Sequence, residues 1–380
     1  MKQVFFGARI FDGTDFHDDC AVIIDNGLID GIVPFSERPR HCIEHDLEGG
    51  ILSPGLIDWQ INGGGGVLFN ETPTVAGIRN ILAAHRREGT TECLITVITD
   101  SRKVMTEALN AVKAAKDFVP GLLGIHVEGP FIDESRSGAH PRQFIQSMTS
   151  EDLEWLIRHK AGTMVVTVAP NRVQSTQIKT LVENGIIVSM GHSEATDVDA
   201  LNSIKAGASG ITHLFNAMSP FSHRNSGMVG VGLSDSRIIC GLIADGHHVS
   251  NTAIKVAFVA RGAEGLAIVS DAMPPAAGGP DHFKLQGRNV ELHGTKLTLD
   301  DGTLAGSCVT LLQSVRHLVK EIGIDLGEAL QMATLTPARL LQISHRHGRI
   351  SPGFNASLLH LNDDLLAQQT WIEGVSASSN

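Results

Sequence analysis

Eight short apolar segments recur along the chain, and the stretches between them restrict the folds open to it. They are GLIDWQI (55–61), TECLITVIT (91–99), GLLGIHVEG (121–129), TMVVTVAP (163–170), GIIVSMGHS (185–193), GITHLFN (210–216), IICGLIADG (238–246) and GLAIVSDAM (265–273). Most are continuous runs rather than alternations, the pattern of parallel strands covered on both faces. Helix-like stretches lie between them: TVAGIRNILAAHRREG, TEALNAVKAAKDF, EDLEWLIRHKAG, STQIKTLVENG, ATDVDALNSIKAG and NTAIKVAFVARGAEG. Gly or basic residues close these stretches, as suits helix C-termini. Eight such units predict an α/β chain closed into a (β/α)8 TIM barrel over residues 53–350. A doubly wound open sheet is the competing arrangement. Neither GxGxxG nor GxxxxGK[ST] occurs, which weighs against dinucleotide and P-loop readings.

The two ends of the chain read differently. QVFFGARIF, CAVIIDNGLIDGIV and HCIEHDLEGGILSPG at the start are short β-like pieces, and so are RISPGFNASLLHLN and TWIEGV near the end. Neither end is long enough to bury a core alone. A small β-sandwich domain formed from both termini, residues 1–52 with 351–380, is therefore expected. No run of about 18 apolar residues predicts a transmembrane helix. The opening MKQVFFGARIFDG meets Asp12 and Gly13 before any long apolar core, so no signal peptide is expected. Cys20, Cys42, Cys93, Cys240 and Cys308 are far apart and never form CxxC, which suits reduced thiols in a cytoplasmic protein. The net charge of −11 opposes general nucleic-acid binding, which needs clustered Lys and Arg. An anionic substrate would need a local basic site.

In a barrel of this kind the chemistry gathers at the C-terminal ends of the strands. Those ends carry Gln60 and Asn62, His126 and Glu128, His192, His213, Asp245 with His247 and His248, and Asp271. Any one of them alone reads as a hydrogen-bonded structural residue; their collection on one rim is what argues for a site. Glu128, His192 and His213 supply one carboxylate and two imidazoles, a set that suits a catalytic divalent metal with an open position. Such a metal lowers the pKa of water to about 7, where a neighbouring carboxylate can take the proton. Asp271 falls where such a base is needed; it reads equally as a further metal ligand or a helix-capping carboxylate.

Two patterns imitate other sites. His41–His45 spells HxxEH, a zinc-protease signature that requires a helix. Here it lies between Pro39 and Gly49 in strand-rich sequence, so no metal is expected there. Gly63–Gly66 resembles a phosphate loop, but no lysine or helix start follows, and a loop after the first strand is expected.

The chain resembles the N-acetylglucosamine-6-phosphate deacetylases of the amidohydrolase superfamily. The resemblance runs through PGLIDWQINGGGG (54–66), HVEGPF (126–131), GAHP (138–141), GHSEAT (191–196), THLFNAM (212–218), IADGHHV (243–249), SDAMPPAAG (270–278), LAGS (304–307) and MATLTPARLL (332–341). It implies that Glu128, His192 and His213 hold one divalent metal ion per subunit, zinc by expectation. It also implies that Asp271 acts as base and then as acid, and that His140 orients or polarises the acetyl carbonyl. Arg224 and His248 would bind the 6-phosphate. Asn216 and Ala217 would assist, and Gln60, Ala139, Leu304, Ala305 and Gly306 would line the sugar site. The implied reaction releases acetate and D-glucosamine 6-phosphate in amino-sugar catabolism. The implied partners are a phosphosugar substrate and a second copy of the chain, with Arg224 shared across a homodimer; an arginine closing its own site is the alternative. Gln60 and Asn62 replace the HxH with which many amidohydrolases begin, so a single metal is expected. Ala169-Pro170-Asn171 departs from the APE common at this loop. The galactosamine epimer, a cyclic-amide hydrolase or deaminase, and a non-catalytic phosphosugar-binding regulator remain as other readings.

Overall fold

Strands rich in Val, Ile and Leu on both faces need neighbours on both sides and cover above and below. The computed structural model, which describes residues 2–377, supplies both. Its largest sheet has eight parallel strands in strict chain order: β1 (Leu56–Ile61), β2 (Thr90–Ile98), β3 (Leu122–Glu128), β4 (Thr163–Val168), β5 (Ile187–Met190), β6 (Gly210–Ile211), β7 (Ile239–Leu242) and β8 (Leu266–Ile268). The first and last strands meet just past their ends. Asp271 N donates to Gln60 O at 3.0 Å, and the N–H groups of Asn62 and Gly63 donate to Ala272 O at 2.9 and 2.8 Å. A buried carboxylate reinforces this seam: Asp58 Oδ1 accepts from Gln60 N at 3.1 Å and Ser270 N at 3.4 Å. The sheet is a barrel, and the open doubly wound arrangement is excluded.

Ile57, Trp59, Leu94, Val165, Ile187, Ile243 and Val269 pack together inside the barrel. A polar layer crosses this interior. His126 Nε2 lies 2.7 Å from Thr167 Oγ1, which lies 2.7 Å from Thr212 Oγ1. The surrounding helices include α1 (Val75–Arg87), α2 (Arg102–Ala115), α3 (Ser150–Arg158), α4 (Ser175–Glu183), α5 (Asp197–Lys205), α6 (Gly227–Ser234) and α7 (Asn251–Gly265). Thr74, Ser101, Thr149, Thr196 and Ser250 cap α1, α2, α3, α5 and α7 by accepting a backbone N–H in the first turn. Four helices went unread in the sequence: α6, α8 (Leu311–His317), α9 (Leu326–Ala333) and α10 (Leu335–Leu340). In α6, GMVGVGLS has no polar face to set a period, because most of it is buried. The span assigned wholly to the barrel also holds an antiparallel sheet of His282–Leu285, Arg288–His293 and Lys296–Leu299, between β8 and α8.

The small domain draws on both ends of the chain. One sheet orders Leu28–Pro34, Cys20–Asp25, Lys2–Phe6 and Ile43–Asp46; the other joins Arg9–Phe11 and Phe16–His17 through Ile51–Pro54 to Leu358–Leu361, Ala367–Ile372 and Val375–Ser376. Phe5, Val22 and Ile24 from the first sheet share a core with Ile10, Leu52, Leu358 and Trp371 from the second. Residue 1 and residues 378–380 of the expected domain lie outside the described residues. Within HxxEH, Ile43–Asp46 is a strand and His45 stacks on Phe5 at 4.2 Å. The helix a metal would require is absent there. All five cysteines are free. No helix among the described residues is long and apolar enough to cross a membrane.

Candidate active site

The strand ends deliver their polar side chains to one point. Glu128 is the last residue of β3, while His192 and His213 each stand two residues beyond β5 and β6. Asp271 follows β8. His192, His213 and Asp271 have φ of 48°, 35° and 49°, the left-handed region that side chains with a Cβ rarely adopt. His213 Nε2 lies 3.1 Å from Glu128 Oε1 and 3.0 Å from His192 Nε2, and His192 Nε2 lies 3.3 Å from the same carboxylate oxygen. Gln60 Nε2 donates to Glu128 Oε1 at 3.1 Å and to Asp271 Oδ1 at 3.2 Å, and Asn62 Nδ2 donates to Asp271 Oδ1 at 2.6 Å. The strand-1 amides thus tie the candidate base to the candidate ligand carboxylate.

These three donor atoms fit a metal ion. Bonds of about 2.0–2.2 Å in a tetrahedral site separate its ligands by about 3.3–3.6 Å, close to the spacing here. His192 Nδ1 lies 2.8 Å from Arg136 O; donating its proton there leaves Nε2 with a lone pair aimed at the cluster. Glu128, His140 and His192 also offer ligand atoms that all lie within 4.8 Å of one another. Burial pushes Glu128 up, but hydrogen bonds with His192 and His213 outweigh it and hold the carboxyl well below its ordinary value. Burial lowers the pKa of His213, and the Glu128 carboxylate more than reverses this. Burial, with Glu128 adding repulsion, pushes Asp271 up to about 6. Burial, then His192, keep the His140 imidazole well below its ordinary pKa and so neutral.

A cavity of about 340 Å³ opens above this cluster. Among the residues expected from the sequence, Glu128, Ala139, His140, His192, His213, Asn216, Ala217, His248, Asp271, Leu304 and Gly306 line it. Three expected residues do not. Gln60 is wholly buried behind the cluster, its amide spent on the two carboxylates. Ala305 is buried against Met273 and the antiparallel insert. Arg224 is exposed on the loop before α6. His248 is held by Asp245, whose Oδ2 lies 2.7 Å from its Nδ1. The sequence reading missed Ser135, Arg136, Met273 and Thr303 in the lining. Arg136 had a signal, standing two residues before GAHP. Asn171, the departure from APE, lies outside the cavity and accepts from Ser193 Oγ at 2.7 Å. Gly63–Gly66 forms a tight hairpin rather than a phosphate cradle: Gly64 packs so closely on His85 that a Cβ would lie 2.5 Å from its Nε2.

A parallel barrel with a carboxylate and imidazoles converging at its C-terminal rim, beside a second carboxylate in a cavity, defines a metal-dependent hydrolase. The comparisons with known proteins agree. The amidohydrolase family matches residues 51–377, and the NagA composite domain matches residues 5–52. The chain belongs to the amidohydrolase family. It is 39% identical to an N-acetylgalactosamine-6-phosphate deacetylase of Shewanella sp. (strain ANA-3), over 97% of this chain and 94% of that one. It is 36% identical to an N-acetylglucosamine-6-phosphate deacetylase of Homo sapiens, over 90% and 86%. The crystal structure of N-acetylglucosamine-6-phosphate deacetylase from Pasteurella multocida superposes with a TM-score of 0.96 at 34% identity, covering 99% of each chain.

Proposed function

We propose that this chain hydrolyses the acetamido group of N-acetyl-D-glucosamine 6-phosphate to D-glucosamine 6-phosphate and acetate, serving amino-sugar catabolism in the cytoplasm. The observation that carries this reading is the convergence of Glu128, His192 and His213 on one point, with Asp271 tied to Glu128 through Gln60. The relatives' names supply the substrate class. We assign one divalent ion, zinc, to Glu128, His192 and His213. When bound there, it supplies polarisation of the acyl oxygen and a lowered water pKa.

The chain's own groups do the rest. Asp271 takes a proton from the attacking water and returns it to the leaving nitrogen. A pKa raised to about 6 suits a group that must both accept and release a proton near neutrality. Asn62 and Gln60 hold Oδ1, which leaves Oδ2 for the proton. Thr99 Oγ1 lies 2.8 Å from His140 Nδ1, closer than its 3.3 Å to Glu128 O. In the tautomer protonated at Nε2, with the Thr99 proton turned from Glu128 O to Nδ1, His140 stabilises the developing oxyanion. His248, oriented by Asp245, and Arg224 bind the phosphate by charge-assisted hydrogen bonds. Asn216, Ala217, Ala139, Leu304 and Gly306 shape the sugar site. Arg224 lines no part of its own chain's cavity, which supports a homodimer in which a second copy donates it. We place the domain boundaries at 52/53 and 350/351, the first of them falling within the small domain's strand Ile51–Pro54.

The test is acetate release from N-acetylglucosamine 6-phosphate with and without a chelator. No chelator-sensitive release rejects the reading. The galactosamine epimer is a second reading, favoured by the name of the Shewanella relative. A higher kcat/KM on N-acetylgalactosamine 6-phosphate, run in parallel, moves the assignment to it.

A further inference from the structure

Three loops meet at the backbone of His192. They follow β3, β4 and β5, and Asp133 sits where they join, 2% exposed. Its N–H donates to His192 O at 2.9 Å. Its Oδ2 accepts from Glu194 N at 2.8 Å and lies 3.4 Å from Ser193 Oγ. Its Oδ1 takes the Arg172 guanidinium Nε. Ser193 Oγ donates at 2.7 Å to Asn171 Oδ1. One residue therefore holds the backbone of 192 and 194 directly and the side chain of 193 between itself and Asn171.

Asp133 also reaches the Nδ1 edge of the ring, through Arg136. Arg136 N donates to Asp133 O at 3.0 Å, and Arg136 O is the group facing His192 Nδ1 at 2.8 Å. The Arg136 guanidinium Nε pairs with Glu194, closing the loop of contacts. His192 needs such support. Its φ of 48° is strained for a residue with a Cβ and persists only where the surroundings impose it.

We propose that Asp133 is a positioning residue that fixes His192 for the metal, setting its backbone through residues 192–194 and its tautomer through the Arg136 carbonyl. It touches neither substrate nor ion. This rests on the reading of His192 as a ligand. Partners that orient a ligand imidazole typically matter by about 10–100-fold in metal affinity. In Asp133→Asn one carboxylate oxygen becomes an NH2 group facing either Arg172 or Glu194 N–H, donor against donor.

The experiment measures zinc affinity by competition with a chromophoric chelator, and the visible spectrum of the cobalt-loaded protein, for four chains. These are wild type, Asp133→Asn, the exchange variant Asp133→Asn/Arg172→Gln, and His192→Asn. The expected result is a loss of about 10–100-fold in Asp133→Asn with a shifted cobalt band, and recovery to within about fivefold in the exchange variant, where the amide oxygen at 133 keeps Glu194 N–H and its NH2 meets the glutamine carbonyl at 172. A folded Asp133→Asn that binds zinc within about twofold of wild type overturns the proposal, and so does a loss that the exchange does not restore. If Asp133→Asn does not fold, the exchange variant decides alone: near-wild-type affinity supports the proposal, and a tenfold or larger loss overturns it. Unchanged zinc binding in His192→Asn removes His192 from the ligand set and this proposal with it. Lost binding there beside unchanged binding in Asp133→Asn refutes Asp133 alone.

Discussion

Asp58 offers a test of the barrel seam that needs no substrate. It is fully buried on β1, its Oδ1 accepts two backbone N–H groups, and its Oδ2 has no partner. Burial, opposed only in part by hydrogen bonds from Ser270 and Gln60, pushes its pKa from 3.8 to about 7. The folded state therefore prefers the protonated acid, and the unfolded chain holds fewer protons between those two values. Stability must fall as pH rises from about 4 to about 7, and the loss is complete above that. A shift of about 3 units corresponds to about 4 kcal/mol, of which about 2–3 falls between pH 5 and 8.5. Asp58→Asn keeps an oxygen for the two N–H groups and cannot ionise. Its amide NH2 meets no acceptor, so the absolute stability of the variant is the wrong quantity to compare. The informative quantity is the difference from wild type as a function of pH, from urea melts of chelator-stripped proteins, where titrations not coupled to Asp58 cancel. The variant should gain on wild type by about 2–3 kcal/mol from pH 5 to 8.5. Curves that stay parallel within about 0.5 kcal/mol would show that Asp58 is charged in the fold, or not buried as described, and the reasoning would fail.

Three further outcomes follow from the proposed site. Asp271→Asn should bind substrate with KM within a few-fold of wild type while kcat falls about 10²–10⁴-fold, the range for a lost acid–base group; steady-state kinetics near wild type removes Asp271 from the mechanism. Glu128→Ala should lose metal and activity together, because two imidazoles alone make a weak site, and elemental analysis showing a full complement of zinc would contradict the ligand assignment. Arg224→Ala and Asp271→Asn chains, each nearly inactive alone, should recover about a quarter of the sites when equal amounts exchange subunits, since two-fold pairing lets one site borrow the partner's arginine; no recovery after proven exchange places the arginine in cis.

The parts of this fold that could be read in the sequence are those where physics leaves few solutions. Continuous apolar runs spaced by helix-length stretches close into a barrel, and polar residues at the ends of those runs must then share a rim. Glu128, His192, His213 and Asp271 were legible for that reason. Where several solutions exist, the reading thinned. The residues 282–299 alternate over short strands with Gly287 and Gly294 between them, a pattern that reads the same in a loop, a hairpin or a domain edge. Gln60 was assigned to the sugar, but its direction depends on what faces it across the barrel, and two carboxylates do. Ala305 belongs to a motif, LAGS, whose flanking Leu304 and Gly306 reach the cavity while its own side chain packs beneath the insert.

The backbone at the rim explains why the site residues stand out against their own local structure. His192, His213 and Asp271 occupy left-handed conformations just beyond their strands, positions where glycine carries no steric penalty. Glycine is abundant in this chain and takes such conformations at many other turns. At these three stand two imidazoles and a carboxylate, each at a backbone cost of about 1 kcal/mol or more. Strain of this kind persists only when the surroundings overdetermine it, and the surroundings are visible: Asp133 behind His192, Gly241 O receiving Leu214 N at 2.7 Å beyond His213, and the β1 backbone and amides around Asp271. Each of the three stands just beyond its strand and reaches the common cluster from there, whereas Glu128 reaches it from the last position of its strand. The backbone cost is therefore carried by the groups that the loops, not the strands, bring to the rim.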